Sequence, residues 1–266
     1  MLLTLFTVCL VLFFYLHVAY HYKTSNDLEV YELDAPEKMK LEEVCNLRQP
    51  CTFLYWHDEY EALLPENFSY DEFEINVVDD AKAALPLEVS KAKRLFKKSR
   101  HYTERNSDFL EETMLRRVFE RNDHLLRPPM VSIIRYDLVF GGDDASTKLR
   151  YTDCFRNYFM VVRGRVTVKL APPRSAKRLD EVKDYVGDDF YSAVDAWGPS
   201  KVKFMETVLE KGQALFVPAY WWHSLKLEKG AVVAAFYYKT AMNVVATLPT
   251  YLVGMVQRQH SRILKI

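Results

Sequence analysis

The chain has 266 residues, enough for one large β-rich domain or two small ones. Lysine plus arginine and aspartate plus glutamate both total 36, so the net charge is zero and no global field favours nucleic acid as a partner. Only 8 glycines occur, with no GxGxxG or GxxxxGKS/T pattern, which excludes a glycine-rich phosphate loop; 17 tyrosines and 16 phenylalanines suit strands and cores.

Residues 1–20 contain no Asp, Glu, Lys or Arg. At 1.5 Å rise per residue, about 20 residues cross the roughly 30 Å hydrocarbon layer, so this segment reads as a single-pass transmembrane anchor. A cleaved signal peptide would want a basic start and small residues at a cleavage site, and Val18-Ala19-Tyr20-His21 supplies no good pair. A core helix is disfavoured by the polar sequence directly after it. Lys23 is the nearest fixed positive charge, and Asp27, Glu29, Glu32 and Asp34 follow. The positive-inside rule leans only weakly toward a cytosolic domain, which leaves sidedness open. In an oxidising lumen Cys45 and Cys51 would be candidates for pairing, and the sequon Asn67-Phe68-Ser69 would gain meaning.

Residues 21–35 are polar and acidic and read as a stalk, and 36–266 as the folded domain. Pro36-Glu37 opens a helical pattern that ends near Leu47, with Pro at a favoured first-turn position. Residues 51–56 read as a buried strand and 73–78 as another. Helical spacing covers 87–98, which is rich in Lys and Arg, and 108–120. The basic cluster fits a solvated helix face better than an acidic partner's site.

The barrel core is expected over about 130–240. Strands are predicted over 130–140, 157–162, 165–170, 202–209, 214–217, 224–227 and 231–238, with turns at Arg163-Gly164 and Lys229-Gly230 and a helix over 176–185. Short strands with regular turn signals indicate a sandwich or jelly roll. The tail, 241–266, holds an apolar segment interrupted by Pro249. It is too short to span a bilayer and reads as a packed helix or a self-association element.

The most informative stretch is Val217-Pro218-Ala219-Tyr220-Trp221-Trp222-His223, which follows the turn signal Lys211-Gly212. With Asn157, Gly164 and Pro172-Pro173 upstream, it resembles the JmjC-type and cupin-like (cupin-8, factor-inhibiting-HIF-type) proteins over about residues 36–260. The resemblance implies a mainly β fold with flanking helices, a double-stranded β-helix of the jelly-roll type. It also implies Fe(II) and 2-oxoglutarate as cofactors. His223 then corresponds to the distal metal histidine.

In that family the first two ligands come as His-x-Asp/Glu within a stretch resembling T-P-L-H-x-D; here the stretch is Thr147 to Asn157. Counting back without gaps from Asn157 puts Tyr151 at the histidine and Asp153 at the carboxylate. Anchoring on Thr147 and Leu149 puts Arg150 and Thr152 there instead. Either way the proximal histidine is missing. Arginine has no lone pair to give and its charge repels Fe(II), whereas a tyrosine phenolate must first overcome a pKa near 10. If a metal binds, the candidates are His223, Asp153 and Tyr151, while Arg150 is a candidate carboxylate-binding residue or a partner for Asp153. The family's cosubstrate lysine becomes Val166 and its last-strand asparagine becomes Ala235. Lys169 falls on the opposite strand face from Val166.

The preferred expectation is a membrane-anchored, catalytically degenerate domain without a cofactor, retained for binding a protein segment or a small carboxylate. The alternatives are an active Fe(II)/2-oxoglutarate-dependent protein hydroxylase with a Tyr151, Asp153, His223 site, and a membrane-tethered assembly protein that forms homo-oligomers through its tail. No G-x-S-x-G, HExxH or CxxC pattern offers another chemistry.

Overall fold

Two kinds of strand pattern divide the labour in this chain. Continuous apolar runs, such as residues 156–163 and 231–238, suit strands buried on both faces, and alternating runs, such as 165–170, suit strands with one solvated face. The computed structural model describes residues 1–79, 83–184 and 189–263 and sorts the strands accordingly. They are β1 (Tyr31–Leu33), β2 (Cys51–Leu54), β3 (Glu74–Val78), β4 (Ala84–Glu88) and β5 (Tyr102–Thr103). Next come β6 (Val131–Gly141), β7 (Arg150–Tyr151), β8 (Arg156–Arg163), β9 (Arg165–Ala171) and β10 (Glu181–Asp184). The set closes with β11 (Asp189–Ser192), β12 (Met205–Glu210), β13 (Gln213–Val217), β14 (Trp222–Leu227) and β15 (Val232–Thr240). The helices are α1 (Leu2–His21), α2 (Lys38–Asn46), α3 (Val89–Phe96), α4 (Ser107–Glu112), α5 (Arg116–Glu120), α6 (Asp123–Leu126) and α7 (Ala241–Ile263).

The strands form a nine-stranded sheet, β1-β2-β13-β8-β15-β6-β5-β3-β4, and a six-stranded sheet, β10-β11-β7-β14-β9-β12. At the core, strands alternate between the sheets from β6 to β9 and again from β12 to β15: β6, β8, β13 and β15 in the larger, β7, β9, β12 and β14 in the smaller. That alternation is the double-stranded β-helix. The β8–β9 sheet change is made in a tight turn, and Gly164 shows why glycine stands there. Its φ is +76°, and a Cβ would lie 3.0 Å from Ala231 Cα.

Alternation along each strand then builds two cores. On β8, Tyr158, Met160 and Val162 join the outer core beneath the helices, while Phe159 and Val161 point between the sheets. On β9, Val166, Val168 and Leu170 line the barrel interior, and Lys169 turns outward to donate to Ala196 O (3.2 Å) and lie over the Trp197 ring. A small third core outside β14 holds Trp222, Leu149, Leu179 and Val202.

Three elements depart from expectation. The helix foreseen over 176–185 is a 3-10 turn, Pro173–Arg178, followed by β10, because Asp180 adopts a left-handed φ of +44°; Tyr185 lies outside the described residues. The helical segment 108–120 is divided into α4 and α5 at Met114, whose φ is +59°. Part of the supposed stalk is strand β1, which pairs in parallel with β2. The tail is one helix, α7, continuing through Pro249. α1 is long and apolar enough to cross a membrane, a test that a signal sequence also passes, and its residues 2–16 are exposed. Cys45 and Cys51 are buried free thiols.

The candidate metal centre

The residues before β7 are locked to β14 by a small hydrogen-bond lattice. Thr147 N donates to Leu225 O (2.8 Å), Leu225 N donates to Thr147 Oγ1 (2.9 Å), and Ser224 Oγ donates to Thr147 O (2.7 Å). This fixes the register of β7. Arg150 is the residue directly opposite His223, and Leu170 of β9 flanks His223 on its other side. Opposed residues share a sheet face, so Arg150 and His223 both face the barrel interior. Arg150, which the alignment anchored on Thr147 and Leu149 sets at the first histidine, is thus the inward neighbour of His223.

His223 is almost fully buried, its Nδ1 lies 3.1 Å from Trp221 O, and its ring packs at 5.1 Å from that of Phe159. Burial first, and the Arg150 guanidinium second, lower its pKa from 6.5 to about 4. It is therefore a neutral imidazole at physiological pH. The Arg150 Nη2 donates to the carboxylate of Glu104, and both side chains are largely buried. Next to Glu104, the buried carboxylate of Asp137 accepts from Arg105 N (2.6 Å) and Asn106 N (2.9 Å). Burial raises the pKa of Asp137 despite those bonds.

The other two candidate ligands point elsewhere. Tyr151 lies on the outer face of β7, stacked on Phe190 and edge-on to Trp222, and its hydroxyl donates to Glu181. Asp153 is buried at one end of the barrel in an ion pair with Lys239 Nζ at 2.7 Å. Lys239 also reaches Tyr251 Oη of α7, and Asn243 of the same helix donates to Asp153 O at 3.0 Å. Thr152 donates to Asn157 Oδ1 at 2.8 Å. The three candidates thus end in three places: His223 inside, Tyr151 outside, and Asp153 against α7.

A facial iron triad needs three donors on one side of the ion. Among the described residues no group of three or more His, Cys, Asp or Glu side chains is placed to hold a metal ion. The residue opposite His223 carries a permanent positive charge. At the positions that correspond to the cosubstrate's polar partners, Val166 and Ala235 are fully buried apolar residues. The side chains present do not fit Fe(II) and 2-oxoglutarate.

Glu104 and Lys239 were not foreseen. Lys239 left a signal: it continues the inward-facing series Ala235, Tyr237 on a strand without a solvated face, and a buried cation needs a partner. Glu104 left none, since its partner is 46 residues away and its segment carries no periodic pattern. His57 and His124 hydrogen-bond to nearby backbone, and the His57 ring lies edge-on to Tyr60.

A groove of about 740 Å³ lies beside the chain that leads into β7. It is lined by Lys98, Arg100 and Lys148, by Asp144 and Asp195, and by small polar and apolar residues, with Asp144 2.9 Å from Lys226 and 3.9 Å from Arg100.

A family model for the cupin-like domain matches residues 80–243. A search of curated proteins returns no match to the chain. The chain belongs to the cupin-like domain family.

Proposed function

From this membership of the cupin-like family, we propose that the chain is a membrane-anchored cupin-like domain that has given up iron chemistry and serves in binding. The observation that carries the reading is the Arg150–Glu104 ion pair standing opposite His223. A guanidinium is a fixed cation with no lone pair, so it takes up the electrostatic place of a metal while offering none of its open coordination sites. Glu104 neutralises it, and His223 completes the packing as a neutral ring.

The ligand class follows from the groove beside β7. Its three cations, Lys98, Arg100 and Lys148, outnumber Asp144 and Asp195, and that excess suits an acidic protein segment or a small carboxylate. The membrane end of the molecule is α1, whose apolar surface the domain leaves uncovered.

The test uses the full chain in detergent, kept free of oxygen and given Fe(II) and 2-oxoglutarate. The expected result is no stoichiometric iron and no succinate, with binding of acidic peptides that weakens as salt rises. Stoichiometric iron with succinate release, both abolished by His223→Ala, would overturn the binding reading in favour of an oxygenase.

A further inference from the structure

The polarity of α7 is inverted. A helix packed on a water-facing domain normally turns its apolar stripe inward and its polar stripe to solvent. Here the inner side is polar: Asn243 donates to Asp153 O, Thr247 is buried, and Tyr251 meets Lys239. The outward side carries Val245, Leu248, Leu252, Val253, Met255 and Val256, all between 42% and 66% exposed. The steps 245, 248, 252 and 256 follow the three- and four-residue spacing of a single helical face. No Asp, Glu, Lys or Arg occurs over 241–256, whereas Arg258, Arg262 and Lys265 follow in the sequence.

The position of this face decides its occupant. α7 packs against α1, and the Tyr22 hydroxyl at the end of α1 donates to Ala246 O of α7. The apolar surface of α7 is thus continuous with that of the candidate span. We propose that this face of α7 is embedded in the same bilayer that α1 enters, so that the domain is held by a spanning helix and a partly immersed one. This rests on the anchor reading of α1. The apolar part of α7 is 16 residues long, about 24 Å at 1.5 Å per residue, so it dips into the lipid without crossing it. In the sequence, basic residues follow this apolar segment, a composition favoured beside an inserted helix at the headgroup layer. Burying the outward side chains in hydrocarbon removes an apolar surface that water would otherwise meet, and the polar inward side stays against the barrel.

The experiment is spin-label accessibility on the full chain, reconstituted in phosphatidylcholine and phosphatidylserine vesicles. The background is Cys9→Ser, because Cys9 is the exposed thiol and the other three are buried. Single labels are introduced as Leu252→Cys, Val256→Cys and, as a reference in α1, Val11→Cys. The expected result is greater collision with oxygen than with a water-soluble nickel chelate at all three sites. If Val11→Cys reads lipid and the α7 labels read water, the embedding of α7 is overturned and the anchor survives. If all three read water, both fail. Exclusion of both reagents at Leu252 and Val256, with dipolar broadening between labels, would assign the face to a second copy of the chain and overturn the proposal.

Discussion

Replacing Arg150 by methionine removes the charge from the Arg150–Glu104 pair while keeping most of the aliphatic volume. The Glu104 side chain is 9% exposed and that of Arg150 is 15% exposed, so solvent screens neither well. Removing one partner of a buried pair costs about 3–5 kcal/mol, because the remaining charge loses its compensation. The residual exposure of Arg150 places the expected loss near the lower end, about 3 kcal/mol. At about 2–4 °C per kcal/mol for a domain of this size, the melting temperature should fall by roughly 6–12 °C. Thermal unfolding of the full chain in detergent, followed by near-ultraviolet circular dichroism, reads this directly. The double variant Glu104→Gln/Arg150→Met should regain most of the loss, since neither charge then remains, and the cycle should show coupling well above about 0.5 kcal/mol. A loss below about 1 kcal/mol, with additive single effects, would show that the pair is solvated and does not fill the metal's place.

Three further outcomes follow from the same geometry. His223 has a folded pKa of about 4 against 6.5 for the free side chain, so the unfolded chain takes up its proton first. Its contribution is complete above pH 6.5 and is lost as pH falls toward 4, an effect of about 3 kcal/mol that His223→Leu should remove from the pH dependence of unfolding; an unchanged slope would refute it. Lys239→Met should destabilise by about 3–5 kcal/mol through the stranded Asp153 carboxylate, and Asp153→Asn in the same chain should restore much of it in equilibrium unfolding; a single variant as stable as the parent would place that pair in water. Reversing charge with Lys148→Glu should weaken acidic-peptide binding and flatten its salt dependence in calorimetric titration, without moving the melting temperature; unaltered affinity would remove the groove from the binding reading.

The barrel was readable because its strands obey a period of two wherever one face is solvated. The series Val166, Val168, Leu170 against Lys169 is enough to orient β9, and the glycine turns at 164 and 230 mark the sheet changes. The short strands were not readable. β7 has two residues and β5 has two, lengths at which periodicity carries no information, and both exist because longer neighbours offer unpaired edges. The site was half readable: His223 announces itself through Pro218 and the paired tryptophans, but the two alignments of residues 147–157 differ by one position. One residue of slip exchanges the faces of a strand, so composition alone could not choose between Arg150 and Tyr151 as its neighbour. The choice was made by Thr147, whose side chain and backbone both bind β14.

That one-residue choice also explains how the remaining charges arrange themselves. With Arg150 turned inward, an acid must meet it, and Glu104 comes from the segment after α3 that also caps Asp137 through its backbone. With Tyr151 turned outward, Glu181 of β10 receives its hydroxyl. Asp153, two residues on, is left at the barrel end, where Lys239 and α7 enclose it. Each acidic partner arrives from a different element, so returning a ligand to the site would require more than one substitution. Arg150→His would place an imidazole opposite His223, yet Glu104 would then lose its cation and Thr152 would still stand at the carboxylate position two residues on. An iron-binding revertant should therefore need Thr152→Asp as well. Iron uptake by Arg150→His alone, measured as stoichiometric metal in the anaerobic protein, would show that the interior is more adaptable than its ion pairs imply.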